Sequence, residues 1–114
     1  MTIKIITDQI SKKELVSLAA ETYKEMIKAV VDVKRKVLAV GGELHADAEA
    51  CLLDDGSEKK DLWGVNLYPG KSDKVQYTSL INVRPAQSNT TLEVQDPALR
   101  DQILEIINQR VSWK

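Results

Sequence analysis

Two amphipathic segments near the ends of the chain enclose a β-branched middle, which restricts the fold to helices laid on a sheet. Ser11-Lys12-Lys13-Glu14 is a capping box, in which the serine hydroxyl accepts from a first-turn N–H and Glu14 can reach back to the Ser11 backbone. Ile10 before the cap and Leu15 after it are spaced as a hydrophobic staple. Leu15, Leu18, Ala19, Thr22, Tyr23 and Met26 then recur at helical spacing, predicting a helix over 12–27. Near the other end, Asp96-Pro97 suits a helix start, because aspartate caps and proline fits the first helical position. Leu99, Ile103, Ile106, Ile107 and Val111 form the second apolar stripe. Neither stripe can be left in water, and a sheet face is the surface available to cover both.

Ile3, Ile5 and Ile6 predict a first strand. Val30, Val31 and Val33, followed by Val37 and Val40, predict a hairpin across Lys34-Arg35, with Gly41-Gly42 as a bulge or bend. A strand over 62–68 ends at Pro69-Gly70, residues 75–84 supply its partner, and 86–95 read as a polar loop. Residues 44–50 carry two signals. His45, Asp47 and Glu49 alternate with Leu44, Ala46, Ala48 and Ala50, as in a strand, yet Ala, Leu and Glu are strong helix formers. Asp54-Asp55-Gly56-Ser57 reads as a turn into the next strand and favours the strand. The expected class is α+β: a mostly antiparallel sheet of about five strands with two helices on one face, in the order β-α-β-β-β-β-α. One domain is expected over 1–114.

Composition limits the function classes. Across 114 residues, Lys+Arg 16 against Asp+Glu 17 gives a net charge of −1, so nucleic-acid binding has no bulk electrostatic support. Cys51 is the only cysteine, which leaves no intramolecular disulfide and too few thiolates for a cysteine zinc site. Met1-Thr2-Ile3-Lys4-Ile5-Ile6 lacks a signal peptide's apolar region, and no apolar run nears the roughly 20 residues a bilayer requires. A cytoplasmic location with no membrane partner is expected.

The candidate site lies in three segments. Gly41 to Glu49 hold the single histidine, His45, with carboxylates at Asp47 and Glu49. On a strand, pairing through the 54–60 turn sets Glu49 near Asn66 and Asp47 near Tyr68, and a second turn sets Asn66 near Thr78. One face then carries Asp47, Glu49, Asn66, Tyr68 and Thr78. The other carries Ala48, Leu52, Trp63, Leu67, Tyr77 and Ile81 as a core under the helices. His45, Asp47 and Glu49 offer one nitrogen and two carboxylates to a divalent metal, or acid–base chemistry near neutral pH. On a helix, His45 and Glu49 would instead share a face through i,i+4 spacing while Asp47 turned away. Asn66, Asn82 and Arg84 complete the ligand-binding set. Arg84 before Pro85 suits a phosphate or carboxylate, or an internal ion pair with Glu93 or Asp96. Ser79 and Cys51 lack a nucleophile elbow, so a hydrolase triad has no support.

The segments Gly41-Gly42-Glu43-Leu44-His45-Ala46-Asp47-Ala48-Glu49, Asp61-Leu62-Trp63-Gly64-Val65-Asn66-Leu67-Tyr68-Pro69 and Ile81-Asn82-Val83-Arg84-Pro85-Ala86-Gln87-Ser88-Asn89 resemble a family of short prokaryotic proteins of unknown function. The resemblance implies a bacterial or archaeal origin and brings no activity, cofactor or catalytic residue with it. It also implies a basic residue where this chain has Thr90, which weakens a phosphate reading of the loop.

Two functions follow. The first is a non-enzymatic binding domain that uses a polar sheet face, with a second copy or another protein as partner. The second is a metal-dependent hydrolase around His45, Asp47 and Glu49, with Asn66, Asn82 and Arg84 around substrate. No cofactor can be named from the sequence.

Overall fold

The computed structural model describes residues 2–114. The element order is β1 (Ile3–Ile6), α1 (Lys12–Ala20), β2 (Ile27–Asp32), β3 (Val37–Gly41), α2 (His45–Asp54), β4 (Leu62–Leu67), β5 (Val75–Gln76) and α3 (Pro97–Arg110), with short 3-10 turns at 59–61, 80–82 and 85–87. The five strands form one sheet in the order β1-β3-β2-β4-β5, and every pairing is antiparallel. The α+β class therefore holds, with three helices where two were expected. Among the described residues no helix is long and apolar enough to cross a membrane.

Both predicted N-caps form, but the Glu14 half of the capping box does not, because its carboxylate turns to Lys4 instead of the Ser11 backbone. Glu14 N–H donates to Ser11 Oγ at 3.1 Å and Ala98 N–H to Asp96 Oδ1 at 3.0 Å. The Glu14 carboxylate is engaged by Lys4 Nζ at 2.5 Å. The hairpin across Lys34-Arg35 also forms, with Asp32 Oδ1 accepting from the Lys34 and Arg35 N–H groups at 2.9 Å each. Helix α1 ends at Ala20, earlier than its stripe suggests. Lys24 adopts φ 68° and donates its N–H to the Ala19 carbonyl at 2.8 Å, which turns the chain back so that Ile27 can pair with Leu67.

The main correction concerns residues 45–54, which form helix α2 and not a strand. Gly41 and Gly42 sit at φ 109° and 85° and turn the chain out of β3. A Cβ on Gly41 would lie 2.2 Å from the Thr2 carbonyl oxygen, so the turn requires glycine there. His45, Ala48, Glu49 and Leu52 are the buried residues of α2, spaced i, i+3, i+4 and i+7, and Asp47 is exposed. Helical periodicity and the intrinsic preference of Ala, Glu and Leu prevailed over the alternating pattern.

Helix α2 is the third helix, and it lies on the opposite face from the other two. One core cluster contains Leu15 and Leu18 of α1, Ile103, Ile106 and Ile107 of α3, and Ala29, Val31, Leu38, Val40, Trp63, Val65 and Leu67 of the sheet. The other joins Ala48 and Leu52 of α2 to Val30, Val37, Ala39 and Leu62. Consecutive sheet residues alternate between the two clusters, as the pleat requires. The expected core face is thereby corrected: Trp63, Leu67 and Tyr77 pack under α1 and α3, while Ala48, Leu52 and Ile81 pack with α2.

Strand β5 is likewise shorter than the predicted 75–84. Only Val75 and Gln76 pair with β4, which puts Asn66 opposite Gln76 where Thr78 was expected. Beyond that point the chain leaves the sheet through a Thr78–Glu93 bridge and the 80–82 turn.

Candidate functional site

Because β5 stops at Gln76, the outer edge of β4 at Gly64 has no strand beside it. Asn82 takes the strand's place. Its Oδ1 accepts the Gly64 N–H at 2.8 Å and its Nδ2 donates to the Gly64 carbonyl at 2.9 Å, so the side-chain amide mimics a neighbouring peptide group. Nδ2 also lies 3.2 Å from the Leu92 carbonyl, and Asn82 has no exposed surface. Arg84 continues the clamp. Its Nε donates to the Ile81 carbonyl at 2.9 Å, Nη1 to the Lys59 carbonyl at 2.8 Å and Nη2 to the Leu62 carbonyl. The guanidinium stacks 4.7 Å from the Trp63 ring and lies 3.5 Å from Glu49 Oε2. Burial draws the Arg84 guanidinium below its ordinary pKa, and the Glu49 charge opposes that. Its internal acid is thus Glu49 and neither Glu93 nor Asp96. Glu93 pairs with Arg100 at 3.5 Å, and Asp96 caps α3.

Asn89 closes the segment. Its backbone exchanges hydrogen bonds with Arg84, at 2.7 Å for Arg84 N–H and 3.1 Å for Asn89 N–H. Its Nδ2 lies 2.7 Å from the Asn82 carbonyl and 2.9 Å from that of Glu93, while its Oδ1 accepts the Gln95 N–H at 2.9 Å. Asn82, Arg84 and Asn89 are therefore spent on backbone groups that irregular chain would otherwise leave unpaired.

The remaining predicted residues divide. His45 and Asn66 come together at the base of a cleft between α2, the end of β4 and the 78–92 segment. Glu49 faces Arg84 inside the fold, and Asp47 points to solvent from the far side of α2. The expected ligand set of His45, Asp47 and Glu49 is not gathered at one point. Among the described residues no three His, Cys, Asp or Glu side chains are placed to hold a metal ion together.

The cleft measures about 560 Å³. Its base is polar and buried: His45 is 7% exposed, Asn66 8% and Ser79 5%. Gly64 makes this possible, since a Cβ there would lie 2.5 Å from Ser79 Cβ and 3.1 Å from His45 Cδ2. His45 Nε2 lies 2.8 Å from the Val65 carbonyl oxygen, which can only accept, so Nε2 carries the proton and the neutral ring keeps Nδ1 as an acceptor. Burial pulls the imidazole below its ordinary 6.5, against the Val65 hydrogen bond; nearby Lys28 lowers it further, and Asn66 opposes. Asn66 Nδ2 donates to Gln76 Oε1 at 3.0 Å and to the Thr78 carbonyl at 3.3 Å. Its Oδ1 is buried with no hydrogen-bond partner among the described residues.

The rim is apolar. Leu80, Leu44 and Leu92, exposed by 78%, 57% and 45%, are the most exposed large hydrophobic side chains among the described residues, and all three line this cleft. Tyr23 also contributes, its hydroxyl fixed on the Glu43 carbonyl at 2.6 Å. Sequence reasoning missed the rim and Lys28. Its only trace is apolar residues at turn positions: Leu44 directly after Gly-Gly-Glu, and Leu80 directly after Ser79, which caps the 80–82 turn.

Neither the curated proteins nor the solved structures contain a match to the chain. A family model described as a protein of unknown function, DUF5674, matches residues 4–110, and the chain belongs to that family.

Proposed function

We propose that the chain is a binding domain without catalytic chemistry, and that its ligand sits in the cleft over His45, Asn66 and Ser79. The observation that supports this reading is the convergence of the three most exposed leucines on one cleft with a buried polar base. Exposed apolar side chains normally scatter, and their collection around a concavity with a few polar groups beneath is the pattern of a ligand site. The polar sheet face expected to bind is thus replaced by a mixed surface, with hydrogen-bonding groups inside and apolar contact outside. His45 and Asn66 would orient the ligand, and Leu44, Leu80 and Leu92 would bury its body.

An amide NMR screen of small aromatic and aliphatic fragments tests the proposal. Saturable shifts should centre on residues 44–46, 66 and 78–81 and disappear in Leu80→Ser. Fragment binding confined to other surfaces would refute it. A concentration-dependent dimer that Leu80→Ser dissociates would assign the rim to a second copy and also overturn the ligand reading.

A further inference from the structure

Resting on that cleft reading, we infer that the ligand is a small amphipathic monoanion, a carboxylate on an aryl or alkyl body, with Lys28 as its charge partner. Lys28 is the one Lys, Arg, Asp or Glu that lines the cleft. It stands on β2 directly opposite Asn66 of β4, so its stem rises beside the buried polar base. The side chain is half-buried, and the ammonium lies 5.2 Å from the centre of the Tyr23 ring.

Three of the other buried or partly buried cations have carboxylates. Arg84 has Glu49 at 3.5 Å, Arg35 has Asp55 at 2.7 Å and Arg100 has Glu93 at 3.5 Å. Lys74 and Arg110 donate to backbone carbonyls, and Lys12 lies outside the cleft. Lys28 makes no ion pair among the described residues. An ammonium beside apolar walls and without a counter-charge attracts an anion, and the neutral His45 adds no second positive charge. One fixed charge matches one carboxylate, and a cleft of about 560 Å³ falls in the size range of small-molecule sites.

A peptide fits this place less well. Peptides that bind beside a sheet gain affinity by adding a strand to a free edge. Here the β4 edge is already occupied, at Gly64 by the Asn82 amide and at Asn66 and Leu67 by β5. No row of backbone donors and acceptors is left for a chain to read, so side-chain contacts with a compact molecule account for the surface better.

The test is an amide NMR titration with phenylacetate, phenylacetamide and phenethylamine, which share a ring and differ in charge, on the wild type, Lys28→Gln and Leu80→Ser. The wild type should bind phenylacetate about tenfold more tightly than the amide, the difference between a charged and a neutral hydrogen bond. Phenethylamine should give no saturable shift. In Lys28→Gln the acid should lose its advantage and bind no more tightly than the amide, and Leu80→Ser should weaken both. Equal binding of acid and amide by the wild type, or an acid preference that survives Lys28→Gln, would overturn the charge assignment while the cleft reading stands. Absence of cleft shifts with all three compounds at roughly 10 mM, enough to saturate a millimolar site, would overturn both.

Discussion

Replacing Asn82 by alanine should be among the most damaging single changes in this protein. The side chain is fully buried and makes three hydrogen bonds, two to Gly64 at 2.8 and 2.9 Å and one to the Leu92 carbonyl at 3.2 Å. Alanine leaves the Gly64 N–H and carbonyl without partners at a buried strand edge. Each orphaned group costs about 1–3 kcal/mol. The two together predict a loss of about 2–6 kcal/mol, with Leu92 less affected at its longer distance. A chain this size holds about 5–15 kcal/mol in all, so the midpoint of thermal unfolding should fall by roughly 10–25 °C. Urea unfolding followed by tryptophan fluorescence measures the loss directly, and an unchanged slope would show that the unfolded state is unaltered. Asn82→Asp supplies a second arm. It keeps the acceptor for Gly64 N–H but sets a carboxylate against two carbonyls, so its deficit relative to wild type should narrow as pH falls and the protonated acid regains a donor. A loss below about 1 kcal/mol in Asn82→Ala would mean that water replaces the amide, and the clamp would not hold the β4 edge.

Four further outcomes follow from the geometry. Leu52→Ala should cost about 2–5 kcal/mol while Leu53→Ala costs little, since Leu52 is fully buried and Leu53 is 39% exposed; comparable losses in urea unfolding would contradict the α2 orientation. Gly64→Ala should destabilise by about 1–3 kcal/mol through contact with Ser79, and Ser79→Gly should restore part of it in the double variant; a double variant no better than the single would disprove that contact. The folded-state pKa of His45 lies below its ordinary 6.5, so the unfolded chain takes up the proton first and stability should fall as pH drops below 6.5. That decline should continue until the folded-state pKa is passed, and a His45→Gln variant with the same slope in that window would rule His45 out as its source. Asp96→Ala should cost about 1 kcal/mol as a lost helix cap, read from the urea midpoint.

Local signals were readable in the sequence where they depend on neighbours along the chain. The caps at Ser11 and Asp96, the α3 stripe and the Lys34-Arg35 hairpin each rest on spacing of a few residues, and each forms. The same local reading also held the α2 signal, because His45, Ala48, Glu49 and Leu52 follow helical spacing. The alternation of His45, Asp47 and Glu49 competed with it, and a run this short satisfies both periods. Once the segment is read as a strand, Asp47 and Glu49 share a face. As a helix, it keeps His45 and Glu49 together and sends Asp47 to solvent.

Composition and local spacing establish the residue types available for a site, the capped helices and the antiparallel α+β class. What those residues do depends on how the elements pack. Asn82 and Arg84 look like ligand-binding groups in one dimension, yet the early end of β5 leaves backbone groups of β4 that their side chains satisfy. Lys28, Leu44, Leu80 and Leu92 meet around one cleft although they are scattered along the chain. Periodicity reports which face of an element is apolar. Which elements meet across that face depends on strand order and on where each strand ends, and both are set by competition among all the buried surfaces at once.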